Sequence, residues 1–205
     1  MDSTYWNKIY TKKTETEVSW FQESPRVSLE LISALNISKD AAIIDIGGGD
    51  SRFVDSMLEL GFTNLTVLDI SSAALERAQK RLGEKAKLVQ WIELDVTHFV
   101  PDKKYDLWHD RAAFHFLVDR DQVLKYSLVA EKAMSDHGYL IIATFSKTGP
   151  EKCSGLSITQ YSKESLNQIF EKNFSLNTCV ESVHQTPFGT TQNFLFCSFK
   201  AKSHK

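Results

Sequence analysis

The stretch Ile44-Asp45-Ile46-Gly47-Gly48-Gly49-Asp50-Ser51 restricts the fold of this 205-residue chain more than any other. The branched apolar run 41–46 reads as a buried strand. Residues 51–60 place Phe53, Val54, Met57 and Leu58 on one helical face. Three consecutive glycines between them let the backbone turn sharply and approach a ligand with no Cβ in the way, beside a helix N-terminus. A strand, a glycine turn and a helix form the first half of a βαβ unit.

The same alternation continues. Further buried strands are predicted at 65–70, 88–94, 105–109 and 139–145, and helices at 73–82 and 122–134. The helix at 73–82 carries Ala74, Leu75, Ala78 and Leu82 on one face, with Ser71 or Ser72 as its N-cap. A helix at 25–35 precedes this core, behind an aromatic-rich front segment with Tyr5, Trp6, Tyr10, Trp20 and Phe21. A helix at 162–171 follows it, then strands at 176–184 and 193–200 joined by Thr186-Pro187-Phe188-Gly189-Thr190-Thr191, a turn-rich link that favours an antiparallel hairpin. An α/β fold follows: a mostly parallel sheet with helices on both faces. No linker interrupts it, so a single domain over 1–205 is expected. Its parts are the front segment and helix (1–36), the core (37–146), and a loop, helix and terminal hairpin (147–205).

Charge narrows the partners. Lys+Arg 24 against Asp+Glu 26 gives a net charge of −2, which lacks the basicity of a non-specific nucleic-acid binder. The longest apolar runs, such as 139–145, are far shorter than the ~18 residues of a membrane span. The polar, acid-bearing start does not read as a signal peptide. Three cysteines at wide spacing suit neither a disulfide framework nor a metal knuckle, so a reducing cytoplasm and no metal are expected. Cys179 and Cys197 then fall in strand cores, and Cys153 in a loop.

The ligand is readable in part. Asp69 closes the second strand twenty residues after Gly49, where an acid reaches a ribose hydroxyl pair in nucleotide folds. A dinucleotide fingerprint needs a third glycine where Arg52 stands, which counts against an NAD(P)-dependent oxidoreductase. No Gly-Lys-Ser/Thr marks a phosphate loop. An adenosyl group without phosphates fits better, and Asp95, closing the third strand, can accept from an adenine amino group.

Asp45-Ile46-Gly47-Gly48-Gly49, Asp69, Asp95-Val96 and Tyr105-Asp106-Leu107-Trp108-His109-Asp110-Arg111, in that order, resemble the four motifs of class I S-adenosylmethionine-dependent methyltransferases. More narrowly, Glu17-Val18-Ser19-Trp20-Phe21, Gly149-Pro150-Glu151-Lys152-Cys153-Ser154-Gly155-Leu156 and Thr186-Pro187-Phe188-Gly189 are similar to a subgroup of small stand-alone methyltransferases of unassigned substrate. The resemblance implies a Rossmann-like, doubly wound, seven-stranded sheet in the order 3-2-1-4-5-7-6, mostly parallel with strand 7 antiparallel. It also implies S-adenosylmethionine as cofactor, S-adenosylhomocysteine as product, and a cofactor site drawn from Asp45, Gly47, Gly48, Gly49, Asp50, Asp69, Ile70, Ser71, Asp95, Val96 and Asp110. The subgroup's later motif has a proline and an arginine after Gly155-Leu156, where this chain reads Ser157-Ile158-Thr159-Gln160-Tyr161.

Methyl transfer from a sulfonium is mainly a matter of positioning. The end of the fourth strand supplies candidates for more: His109 as general base or structural residue, and Asp110 and Arg111 as site groups or a local ion pair. Tyr10, Trp20 and Phe21 are a lid or core, and His115 faces either the pocket or solvent. A small-molecule or protein substrate is expected, with no membrane or nucleic acid, acted on by a monomer or weak homodimer. A non-catalytic binding module for the cofactor or a protein partner is the other reading of the same fold.

Overall fold

The computed structural model describes residues 2–203, so Met1, His204 and Lys205 lie outside it. Strand β1 (Ala42–Ile46) is buried along its whole length, as a strand covered on both faces must be. It pairs in parallel with β2 (Asn64–Asp69) and β4 (Tyr105–Arg111). Beyond these lie β3 (Val89–Glu93) and β5 (Met134–Phe145), also parallel. A two-residue ribbon, β6 (Lys152–Cys153) and β7 (Leu156–Ser157), stands apart from the sheet. The terminal hairpin of β8 (Phe174–Gln185) and β9 (Thr191–Ala201) adds to the sheet through β9, antiparallel to β5. The order β3-β2-β1-β4-β5-β9-β8 is the one the resemblance implies.

Helices cover both faces. Ala42, Ile44 and Ile46 of β1 pack with Tyr126 and Ala130 of α5 (Arg120–Ala133) and Phe170 of α6 (Lys163–Phe170). The alternate residue, Ile43, packs with Ile32 of α2 (Arg26–Leu35), Phe53 and Met57 of α3 (Phe53–Glu59) and Leu75 of α4 (Ser72–Leu82). Each of the isoleucine, leucine, phenylalanine and methionine side chains among these contributes about 1.5–3 kcal/mol on burial. No helix of the described residues is long and apolar enough to cross a membrane.

Three of the departures from the sequence reading bear on the site and its surroundings, besides a β5 that begins five residues early, at Met134, and the unexpected β6–β7 ribbon. The front segment is itself helical: α1 (Ser3–Lys12) is capped by the Asp2 carboxylate and buries Trp6 and Tyr10, four residues apart on one face. Second, β4 runs two residues past its predicted end, because Asp110 and Arg111 pair with Ile142 and Ala143. Third, Cys179 and Cys197 are not free core thiols. They stand opposite each other in the β8–β9 register and form a disulfide, leaving Cys153 as the free cysteine. Their 18-residue separation is the length of a hairpin, which cysteine spacing alone does not reveal. The inference from cysteine usage to a reducing compartment loses its basis.

Candidate active site

Asp45 and His109 are neighbours across the parallel β1–β4 pair, and both project to the α2–α3 face. His109 Nδ1 lies 2.6 Å from Asp45 Oδ1, and its Nε2 lies 2.9 Å from Ser28 Oγ on α2. The imidazole stacks on Phe53 with centroids 4.0 Å apart and an 8° interplanar angle. Both ring nitrogens have protein partners while the ring lines the cavity, so of the two readings the sequence leaves open for His109 these contacts favour the structural one, in which it positions Asp45.

Strand alternation disposes of Asp110 in the opposite direction. Oδ1 accepts from the backbone N–H of Ala113 (3.1 Å) and Phe114 (3.0 Å), and Oδ2 accepts from the Tyr126 hydroxyl at 2.7 Å. Its carboxyl is fully buried among these partners, with burial pushing its pKa up to about 6. Asp110 pins the turn after β4 to α5 and stays outside the cavity. That corrects its expected place in the cofactor and catalytic sets.

The glycine turn sits where β1 ends. Gly47 (φ +60°) donates its N–H to the Leu68 carbonyl at 2.7 Å, tying the turn to β2. Gly49 (φ +51°) leaves no room for a side chain: a Cβ there would lie 2.7 Å from the Tyr10 hydroxyl and 3.3 Å from Asp69 Oδ2. Asp69, at the end of β2, accepts the Ser71 N–H at 2.8 Å through Oδ1. Desolvation by burial raises its pKa to about 7. Asp50 bonds Arg77 of α4 at 2.7 Å, and burial raises its pKa in spite of that partner. Ser71 is fully buried; it caps α4 through the Ala74 N–H (3.2 Å) and donates to Asn7 of α1 (2.7 Å), so it fixes the roof and does not reach the ligand space.

These elements enclose a cavity at the carboxyl ends of β1, β2 and β4, where ligands bind in open α/β sheets. Asp69, Ile70 and Val96 line one end, and Gly47, Gly48 and Asp50 the middle. Trp6, Tyr10, Trp20 and Phe21 form the roof, tied together by edge-on ring contacts such as Trp6–Trp20 at 6.0 Å. Arg111, Phe116 and Cys153 close the other end. Of the expected residues, Gly49, Ser71, Asp95, Asp110 and His115 are not among its lining. Asp95 accepts from Thr97 N–H (2.9 Å) and caps the turn Val96–His98, leaving the adjoining Leu94 and Val96 to line the space. His115 faces neither pocket nor solvent: it is fully buried against Phe116 and Phe145, and desolvation holds its pKa down to about 3. Trp6 and Phe116 escaped sequence reasoning, although the Trp6/Tyr10 spacing was a usable signal. Cys153 was read as a loop residue; burial raises its thiol pKa to about 11, so it stands in the cavity wall as a neutral group.

The cavity fits an adenosyl cofactor on its own features. A buried carboxylate faces the space from the end of β2, and a backbone cradle that a Cβ would fill lies beside it. Aromatic and aliphatic side chains supply most of the remaining lining, with Asp45, Asp50, Arg52, His109 and Arg111 among its other charged or titratable groups.

Comparison with known proteins agrees. Residues 37–196 match the family model described as "Methyltransferase domain". The chain is 29% identical to the EEF1A lysine methyltransferase 2 of Danio rerio, over 94% of this chain and 79% of that one. It is 28% identical to the malonyl-[acyl-carrier protein] O-methyltransferase 1 of Ilyobacter polytropus, over 92% and 74%. Among solved structures, the N-methyltransferase NodS from Bradyrhizobium japonicum in complex with S-adenosyl-l-homocysteine superposes with a TM-score of 0.71 at 17% identity, covering 98% of this chain and all of that one. The chain belongs to the methyltransferase domain family and is an S-adenosylmethionine-dependent methyltransferase.

Proposed function

We propose that this enzyme transfers a methyl group to a small-molecule or protein side-chain acceptor by positioning alone, with the two ends of its cavity serving different partners. Asp69 would accept from the ribose hydroxyls, Ile70 and Val96 would border the adenine, and Gly47, Gly48 and Gly49 would border the methionine moiety. When bound, the cofactor supplies an electrophilic methyl on a sulfonium. Trp6, Tyr10, Trp20 and Phe21 exclude water above it. The acceptor enters from the end bordered by Arg111, Phe116 and Cys153. The observation that carries this reading is the placement of Asp69, the buried carboxylate of the cavity that has no basic side-chain partner (Asp45 meets His109 and Asp50 meets Arg77), beside a glycine cradle.

No cavity side chain offers a ready general base at that far end. His109 has both nitrogens engaged, Asp110 lies behind the strand, and Cys153 holds its proton. The acceptor therefore presents a nucleophile that is already competent or loses its proton to water. Titration calorimetry with S-adenosylhomocysteine tests the cofactor end: tight binding by the wild type, weakened at least tenfold in Asp69→Asn, is expected. Equal affinity in the two proteins would remove Asp69 from the ribose role. Formation of S-adenosylhomocysteine across fractionated metabolite and protein extracts then finds the acceptor class.

A further inference from the structure

Arg111 is a cation that the protein brings into a buried setting and leaves half-used. Nη1 donates to the Trp20 carbonyl at 3.0 Å, and the guanidinium lies 4.9 Å from the centroid of the Phe194 ring. Nε and Nη2 are buried with no hydrogen-bond partner. Among the described residues no carboxylate lies within ion-pair distance of it. Desolvation lowers its pKa to about 10, so it remains a cation at neutral pH. A buried guanidinium with neither counter-ion nor full hydrogen bonding is costly to the unliganded fold, and a ligand that completes it recovers that cost.

The two open nitrogens define the ligand's shape. Nε and Nη2 share one edge of the guanidinium, the edge that grips a planar oxyanion with two parallel N–H bonds. We infer that the methyl acceptor carries a carboxylate, held side-on by Nε and Nη2 of Arg111 at the end of the cavity away from Asp69. This rests on the methyl-transfer reading of the cavity and names the acceptor's anchoring group.

Position separates this group from the cofactor's own carboxylate. Arg111 pairs with Ala143 of β5 and leans on Phe194 of β9, towards the hairpin side of the sheet. The glycine turn and Asp69 lie on the other side of β4, towards β2 and β3. Arg111 also lines a second, outer groove with Gln22, His184 and Gln185, so an acceptor held there has a path to solvent. Charge favours a carboxylate over a phosphomonoester. The surroundings are aromatic, the nearest titratable neighbours acting on Arg111 are Cys153 and Asp45, and His115 and His184 are held towards their neutral forms by desolvation and by Arg111 itself. The other arginines of the cavity and the groove, Arg52 and Arg26, are paired with Glu15 and Glu30, so the one guanidinium left without a counter-ion balances one negative charge and not two.

The test uses full-length protein saturated with S-adenosylhomocysteine and titrated with matched probes: benzoate against benzamide, glutarate against glutaramide, and phenyl phosphate. At least one carboxylate is expected to bind ten times tighter than its amide. That preference should vanish in Arg111→Gln and fall at least tenfold in Arg111→Lys, which keeps the charge but loses the fork; should the glutamine variant not fold, the lysine variant decides. S-adenosylhomocysteine affinity of both variants should stay within about threefold of wild type. The inference is overturned if acids and amides bind alike, if no carboxylate binds, if phenyl phosphate binds tightest, or if carboxylate binding survives the loss of the fork. A tenfold loss of S-adenosylhomocysteine affinity in Arg111→Lys would assign Arg111 to the cofactor instead. Failure of the wild type to bind S-adenosylhomocysteine would sink the underlying reading separately.

Discussion

Asp45 and His109, sixty-four residues apart in the chain, form a 2.6 Å contact across adjacent parallel strands at the floor of the cavity. The first-motif acid is thereby committed to a protein partner, and so is the histidine that looked most like a base. Ser28 of α2 takes the second ring nitrogen at 2.9 Å, so the contact also fastens the front helix to the sheet.

Breaking that contact tests the positioning role. His109→Leu leaves a buried carboxylate without its partner and should cost about 1.5–3 kcal/mol, the range for a hydrogen bond to a charged group. His109→Asn sets an amide close to the lost Nδ1 and should recover part of it. Denaturant unfolding of the three proteins reads both effects. Once an acceptor is known, the pH–rate profile of His109→Asn should keep the wild-type shape, whereas loss of a basic limb would restore His109 as the base.

Gly49→Ala probes the cradle. The alanine must hold φ +51°, which costs about 1–2 kcal/mol, and its Cβ would lie 2.7 Å from the Tyr10 hydroxyl. The substitution should weaken S-adenosylhomocysteine at least tenfold by calorimetry, and Tyr10→Phe in the same chain should restore part of the stability by removing the crowded oxygen. Gly61→Ala is the control, since it has φ +85° but nothing within 4 Å: it should lower stability and spare affinity. Equal affinity losses in the two variants would dissociate the cradle from ligand binding.

The architecture was legible because each strand of the core is an apolar run and each helix an amphipathic one, so period and punctuation pointed the same way. The glycine turn and Asp69 were legible because they lie at fixed chain spacing within one βαβ unit. What stayed hidden depends on direction or on long-range pairing. Asp110 and Arg111 are adjacent in sequence yet face opposite sides of the sheet, and the facing is set by a β4 that runs two residues further than its composition suggests. The Cys179–Cys197 bridge depends on hairpin register, and His115 lies in a short turn, Phe114–Phe116, whose burial comes from β5.

The raised pKa of Asp69 predicts opposite pH trends for binding and for folding. Ribose hydroxyls donate best to the ionised carboxylate, so S-adenosylhomocysteine affinity should rise about tenfold from pH 6 to pH 8, through the pKa of about 7. In the unliganded protein the same group is ionised more readily unfolded than folded. Its contribution to stability therefore falls as pH rises from its ordinary 3.8 towards about 7. Asp110 acts in the same direction up to about 6, while His115, held to about 3, acts against it as pH falls below 6.5. The difference between wild type and Asp69→Asn isolates Asp69, and a pH-independent affinity difference would contradict the assignment.

The hairpin makes the last prediction. With Cys179 and Cys197 bridged and Cys153 buried, protein purified without reductant and then denatured should expose one titratable thiol of the three cysteines. Three thiols would show that the pair stays reduced in solution. A bridge closing a loop of this length contributes about 3 kcal/mol, chiefly by restricting the unfolded chain. The double variant Cys179→Ser, Cys197→Ser should lose about that much in unfolding experiments. Because β9 pairs with β5, whose Ala143 stands opposite Arg111, loosening the hairpin should also disturb the acceptor end more than the cofactor end. The variant should keep its S-adenosylhomocysteine affinity within about twofold while losing carboxylate binding, and the reverse pattern would place the hairpin's influence on the cofactor.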